Sequence, residues 1–319
     1  MGERYLSAYY FMSTDLCMNR AHVRSDMTWL AAHSFDAIHT AVHEEAWRQP
    51  KGLRLIVEEA HAAGLAVLAI PSRWCGLVAG WPVLAGHFAA TRPDTWMLGE
   101  DGRPVFKPFC GPVCSVHHPD VRAHMVGCVE RMLSTWDLDG ITWDELKTLH
   151  CTDRHPAATE RFGGPAAARA QIDATLEVFA ACNRAARAVR PDLRIVSFIY
   201  AHLPDEVVVP WAATAGFDDV GPDGKLARRS DLGETKVLLD NLPRFMAAAR
   251  AAGRRSFCLI ETQDADVRAA ELALTGLPEL LALGVEHVAV YYHPLVNEPA
   301  AQITDRIGPP LRDWRRGGA

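Results

Sequence analysis

Two short runs in the chain end in acids. The run Asp139-Gly140-Ile141-Thr142-Trp143-Asp144-Glu145 passes from an apolar stretch into two adjacent carboxylates and continues with Leu146 and Lys147. The run Phe257-Cys258-Leu259-Ile260-Glu261-Thr262-Gln263 does the same with one. Acids are poor strand formers, so each marks where an apolar strand stops. A lone Asp or Glu there can simply cap the next helix, but two in succession weaken that reading. If both runs stop at one rim, their carboxylates face each other across a bound molecule. Two opposed carboxylates suit cleavage of a glycosidic bond: one protonates the leaving oxygen while the other attacks the anomeric carbon or activates water. Glu145 and Glu261 are the first catalytic candidates.

The elements that must position them recur along the chain. Short β-branched or aromatic runs at Leu6 to Phe11, Ala37 to Val42, Ala66 to Ile70, Gly140 to Trp143, Arg194 to Ile199, Phe217 to Val220, Ser256 to Ile260 and His287 to Tyr291 read as strands. Amphipathic, alanine-rich stretches separate them, the pattern of repeated βα units feeding a parallel sheet. Three of these, Leu53 to Ala63, Leu242 to Ala252 and Leu272 to Leu283, run into Gly64, Gly253 and Gly284, each a helix stop ahead of the next strand. Eight strands in series predict a closed (β/α)8 TIM barrel, for which 319 residues suffice as one catalytic domain. The sixth run is the weakest, because Phe217 to Gly224 with Gly221, Pro222 and Gly224 reads equally well as a turn. In a ring, strands four and seven stand on opposite sides.

Two connections exceed the usual βα loop, at about 71–120 after strand three and about 146–164 after strand four. The first is rich in aromatics, which serve either a small core of its own or a pocket wall on the active face. Around the same rim the sequence places His39 and His43 after strand two, Arg73 and Trp74 after three, Tyr200 and His202 after five, and Tyr292 and His293 after eight. With Asp144, the residues His39, Arg73, Trp74, Tyr200, His202, Tyr292 and His293 form the expected substrate-binding ring: aromatic faces for sugar rings, His and Arg for hydroxyls or a carboxylate.

With these residues in view, the chain resembles the glycoside-hydrolase-like (β/α)8 barrels, above all the retaining enzymes with an acid/base on strand four and a nucleophile on strand seven. The resemblance implies Glu145 as acid/base and Glu261 as nucleophile. The family usually carries Asn before the strand-four Glu, where this chain has Asp144. The Gly-Ile-x-x-Asp-Glu run is also similar to glycosyl hydrolases of unassigned specificity. A variant of the superfamily pairs an Asp nucleophile on strand four with an Asp acid on strand six, which Asp144 with Asp218, Asp219 or Asp223 would match.

Other classes remain. Glu145, Asp219, His202 and Glu261 could instead ligate a divalent metal in a sugar isomerase, epimerase or lyase, although no tight metal motif is present. A catalytically silent barrel that binds carbohydrate is the third. Cys110 and Cys114 are spaced for half of a metal site, without a second pair. The expectation is a small carbohydrate substrate and no cofactor. A net charge of -6 speaks against nucleic acid and anionic membrane as partners. A start without signal-peptide character gives the expectation of a cytoplasmic protein.

Overall fold

The computed structural model describes residues 3–10, 19–81, 84–108, 110–149, 151–262, 267–291 and 298–317. Eight parallel strands close into a barrel: β1 (Tyr5–Tyr9), β2 (Ala37–His43), β3 (Ala66–Ser72), β4 (Gly140–Asp144), β5 (Arg194–Tyr200), β6 (Asp219–Gly224), β7 (Arg255–Ile260) and β8 (His287–Tyr291). Neighbours in sequence are neighbours in space, and the ring closes where Tyr5 pairs with His287. Each strand is followed by a helix on the outside: α1 (Arg20–Ala32), α2 (Lys51–Ala62), α3 (Pro119–Thr135), α4 (Ala168–Val189), α5 (Asp205–Ala212), α6 (Leu238–Ala251), α7 (Val267–Ala282) and α8 (Glu298–Arg315). The glycines expected to stop α2, α6 and α7 do so in the left-handed region, with φ of +80° at Gly64, +66° at Gly253 and +80° at Gly284.

β6 differs from its sequence reading. It spans Asp219–Gly224 rather than Phe217 to Val220, so the Gly-Pro-Asp-Gly run is strand, not turn. The reason is steric: a Cβ on Gly221 would lie 1.6 Å from the carbonyl oxygen of Phe257, so only glycine lets β6 approach β7. Pro222 stays in register with Ile199 of β5, while the pairing with β7 lapses after Val220↔Ser256 and resumes at Asp223↔Leu259.

Register decides which side chains look inward. Thr142 and Asp144 of β4 sit level with Val196 and Phe198 of β5, which belong to the interior cluster with Leu68, Ile70, Phe257, Leu259 and Tyr291. Since side chains alternate along a strand, Asp144 points into the barrel at its carboxyl end, and Asp223, level with Tyr200 and Leu259, does likewise. The interior below is partly polar. His39 is hydrogen-bonded to Thr142 at 2.6 Å and to Ser7 at 2.7 Å; Ser7 meets His287 at 2.7 Å, and His287 meets Asp219 at 2.8 Å.

The long excursion after β3 lies against the carboxyl end of β4. Ala79 donates its amide to the carbonyl of Asp144 at 2.8 Å, and Lys147 donates to that of Leu77 at 2.9 Å. It contains a small antiparallel ribbon, Phe106–Lys107 with Gly111–Pro112. Among the described residues, no helix is long and apolar enough to cross a membrane.

Candidate active site

β4 ends at Asp144, and the next residue turns sharply: Glu145 has φ of +42°, in the region that only glycine enters without cost. Such strain in a residue with a side chain persists when its surroundings hold it, and it concentrates at functional sites. Here the hold is electrostatic. The Glu145 carboxylate accepts from Lys147 Nζ, two residues on, and from Lys236 Nζ at 2.7 Å. Lys236 also reaches Asp223 Oδ2 at 2.7 Å and Glu261 Oε1 at 2.5 Å, so one ammonium ties the ends of β4, β6 and β7.

The backbone places Lys236 there. The segment leading into α6 runs back along the end of β6, with Lys225 donating to the Lys236 carbonyl and Leu238 donating to that of Lys225. Gly224 makes room, since a Cβ on it would meet the Lys236 carbonyl oxygen at 2.9 Å. The Tyr200 ring lies under both ammonium groups, at 4.7 Å from Lys147 Nζ and 4.6 Å from Lys236 Nζ, and its hydroxyl is 2.5 Å from Lys147. His202, exposed, stacks on Tyr200 at 5.4 Å.

These neighbours sort the protons. Burial opposes ionisation of Glu145, but Lys236 and Lys147 outweigh it and hold its carboxyl well below the usual range. Asp144 is pushed up to about 7, first by burial and then by the negative charge of Glu145, against the pull of Lys147, Arg73 and Lys236. Asp223 is also driven well above the usual range by burial and by Glu145 and Glu261, although Lys236 pulls it down, and it is hydrogen-bonded to Glu145. Both lysines stay charged, because the carboxylates overcome the burial that would strip their protons. The rim thus sets a carboxyl held down by two ammonium groups beside two whose ionisation burial and like charge oppose.

The sequence-derived candidates divide accordingly. The structure brings together Asp144, Glu145, Glu261, Tyr200 and His202, and Arg73 lies close enough to act on Asp144 while donating to Cys110 Sγ at 2.8 Å. His39 does not belong to the ring: β2 continues to His43, leaving His39 in mid-strand, fully buried under Tyr9 at 4.9 Å. Trp74 does not either. It follows Arg73 at φ +61° and is turned away from the mouth into the core, 5.6 Å from Trp47. Tyr292 and His293 lie outside the described residues.

Of the three acids considered on the sixth strand, only Asp223 is at the mouth. Asp218 caps the far end, paired with Arg187 and the Ile195 amide, and Asp219 is held inside that end by His287 and Arg194. The metal set Glu145, Asp219, His202 and Glu261 is therefore not assembled. The described acids and histidines that do converge are Glu145, Asp223 and Glu261, with one oxygen of each within 4.8 Å of the others, and Lys236 already donates to all three. Ser7, His287 and Asp219 have the spacing of a nucleophilic triad, but all three are fully buried in the barrel and no substrate reaches them. Cys110 and Cys114 do not pair: Cys110 faces Arg73, and Cys114 faces Thr95 and Cys75.

Sequence reasoning missed Lys236. Nothing in Gly233-Glu234-Thr235-Lys236 reports that the segment folds back over the mouth, and only the need of several buried carboxylates for a counter-ion signals that a cation must come from somewhere.

No family model matches the chain, and no curated protein does. Solved structures match by shape. The catalytic domain of β-amylase from Paenibacillus polymyxa superposes with a TM-score of 0.68 at 9% identity, covering 98% of this chain and 97% of that one. A β-galactosidase from the haloarchaeon Halorubrum lacusprofundi gives 0.67 at 14% identity over 98% of this chain and 57% of its own. GH5_18 from Streptomyces cattleya gives 0.59 at 14%, over 99% and 80%. The chain thus spans nearly the whole β-amylase catalytic domain but little more than half of that galactosidase. At these identities the likeness is one of fold alone, an eight-stranded barrel that the matched glycoside hydrolases share.

Proposed function

We propose that the chain is a glycoside hydrolase that cleaves a small glycoside at the carboxyl end of the barrel, with retention of configuration. The observation that carries this is the convergence of four carboxyl groups, Asp144, Glu145, Asp223 and Glu261, from β4, β6 and β7 on one rim, with Asp144 and Asp223 driven up by burial and Glu145 held down by two lysines. A carboxyl raised toward neutral pH by burial and a neighbouring anion is what a general acid working there requires. Solved structures of like shape, among them the β-amylase and β-galactosidases, agree with that reading.

The electrostatics shift one role. The resemblance implies Glu145 as acid/base, but a carboxylate clamped by two lysines is a poor proton donor. Asp144 next to it is pushed up to about 7 by burial and by Glu145, toward the range where a general acid works best, and its inward position suits contact with a sugar held at the mouth. We assign Asp144 as acid/base and Glu261 as nucleophile, and Glu145 as the fixed anion that keeps the proton on Asp144. In the first step Glu261 attacks the anomeric carbon while Asp144 protonates the leaving oxygen. In the second, Asp144 takes a proton from water, which attacks the glycosyl ester and releases Glu261. Retention is taken from the resemblance to the retaining barrels that carry their nucleophile on strand seven. Lys236, about a quarter exposed, must swing off Glu261 for the sugar to enter.

The test is a panel of aryl glycosides of several hexoses and pentoses, assayed with and without chelator. Release of the phenol by the parent protein, unchanged by chelator and abolished in Glu261→Ala, is the expected result. Activity that disappears with chelator would instead favour the metal-dependent isomerase or lyase class.

A further inference from the structure

The ammonium of Lys236 sits in a cage. It meets Glu145 Oε1 at 2.7 Å, Asp223 Oδ2 at 2.7 Å and Glu261 Oε1 at 2.5 Å, and the Tyr200 ring closes a fourth side at 4.6 Å. The three acids present one oxygen each within 4.8 Å of the others, a triangular seat for one cation with three N–H donors. The seat belongs to the barrel, whereas its occupant is removable. Asp223 is 1% exposed, and its second oxygen, Oδ1, is buried with no described donor reaching it. Lys147, the other ammonium at the rim, is built in at 8% side-chain exposure. Lys236 instead reaches over from the segment before α6 and is 24% exposed, so solvent approaches the cage from its side.

We propose that this cage is the seat of a substrate ammonium, which makes the substrate a glycoside of a 2-amino-2-deoxy sugar with a free amine. The bond cleaved rests on the glycosidase reading above; the amine rests on the cage alone. Charge selects among sugars. With Lys236 swung out, Asp144, Glu145, Asp223 and Glu261 are left with Lys147 and Arg73. A neutral 2-hydroxyl entering there leaves buried carboxylates short of a counter-ion, and a uronic acid adds a fifth carboxyl. An ammonium restores what Lys236 supplied, with the Tyr200 face beside it. The same groups keep such an amine charged: burial works against the charge on Lys236, and Asp223, Glu145 and Glu261 overcome it. The position at C2 follows from Glu261. Lys236 takes its Oε1, and an ammonium there leaves Oε2 for the anomeric carbon, one bond from the carbon that bears the amine. A charge so placed opposes the positive charge that develops at the anomeric carbon in the transition state, and Glu145 and Asp223 beside it offset that repulsion. Lys236 is then the resting occupant that a cationic substrate replaces.

The experiment has a turnover arm and a binding arm. The full chain is assayed on para-nitrophenyl glycosides of the gluco and galacto series in both anomers, each as the 2-amino, 2-acetamido and 2-hydroxy form, and on the glucuronides. A free-amine member should have the highest kcat/KM, about thirtyfold above its 2-hydroxy counterpart, the size expected for one charge-assisted hydrogen bond to a buried carboxylate. Asp223→Asn should erase most of that ratio. In the binding arm Lys236→Met empties the cage, and methylammonium chloride should raise the Tm of this variant by about 3 °C more than that of the parent, with sodium chloride at equal concentration as control. Glucosamine should protect in the same way and N-acetylglucosamine should not. Hydrolysis led by a 2-hydroxy, 2-acetamido or uronic acid glycoside would overturn the inference and leave the glycosidase reading standing. Protection of Lys236→Met by both amines with no glycoside turned over would uphold the cage and sink the glycosidase reading instead. An equal response of variant and parent to methylammonium would overturn the cage. The turnover arm needs only the parent protein, so it decides the matter even where Lys236→Met does not fold.

Discussion

At the scale of the residue, the site is governed by competition for protons. Asp144 and Glu145 are adjacent in the chain, yet Asp144 is pushed up to about 7 while Glu145 is held down by Lys236 and Lys147. A carboxyl raised on folding releases its proton later than it would in the unfolded chain. Between the unfolded value near 4 and about 7 the native state therefore binds the extra proton, and stability falls as pH rises through that window. Asp144→Asn, which cannot ionise, should remove this slope and be more stable than the parent at pH 8 by on the order of 2 kcal/mol. Urea melts at pH 5 and pH 8 measure it; an unchanged slope would mean that Asp144 titrates normally. Lys236 is the counterpart. Lys236→Met leaves Glu145, Asp223 and Glu261 without their shared cation, at a cost of about 3 kcal/mol at neutral pH, as expected for breaking a buried ion pair. The loss should shrink at pH 4.5, where the acids take up protons, and a pH-independent loss would speak for packing instead.

At the scale of the element, much of this was readable and some was not. The β4 and β7 runs announced both their strands and the acids that end them, because a short apolar run buried along its whole length leaves an acid a place only at its end. β6 was hidden by its own chemistry: Gly221 and Pro222 belong to the vocabulary of turns, and their presence in a strand is explained only by the Phe257 carbonyl across the ladder. Gly221→Ala should accordingly split β6 from β7, lowering Tm by more than 5 °C or preventing folding, whereas Gly127→Ala on α3, where a Cβ meets nothing within 4 Å, should be neutral or stabilising. Equal effects of the two changes would contradict the steric account. The misplaced candidates have the same kind of cause. His39 lies within the run Ala37 to Val42 and not after it, and sequence alone does not fix the height of a side chain along the barrel axis; pairing with Thr142 and Ser7 puts it a layer below the mouth. Trp74 fell next to Arg73 in sequence, but the left-handed turn at Arg73 sends the two side chains to different places.

At the scale of the whole molecule, the barrel makes the chemistry local to one face. Its amino-terminal interior is sealed by Asp219, His287, Ser7 and His39, a buried polar array that binds strands to one another, while its carboxyl end gathers the acids of β4, β6 and β7 about Lys236. The excursion after β3, bonded to Asp144 and Lys147 through its backbone, closes one side of that mouth. The central claim is the division of labour between Asp144 and Glu261, and the most direct measurement of it is the anomeric configuration of the product when azide replaces the missing carboxylate on an activated aryl glycoside. Asp144→Ala should still be glycosylated, since a phenol of low pKa needs little help to leave, and azide should give a glycosyl azide of retained configuration. Glu261→Ala should turn over only with azide and give the inverted glycosyl azide. Retained product from Glu261→Ala, or parent-like turnover of Asp144→Ala without azide while Glu145→Ala shows the rescue with retention, would contradict the assignment and return the acid/base role to Glu145.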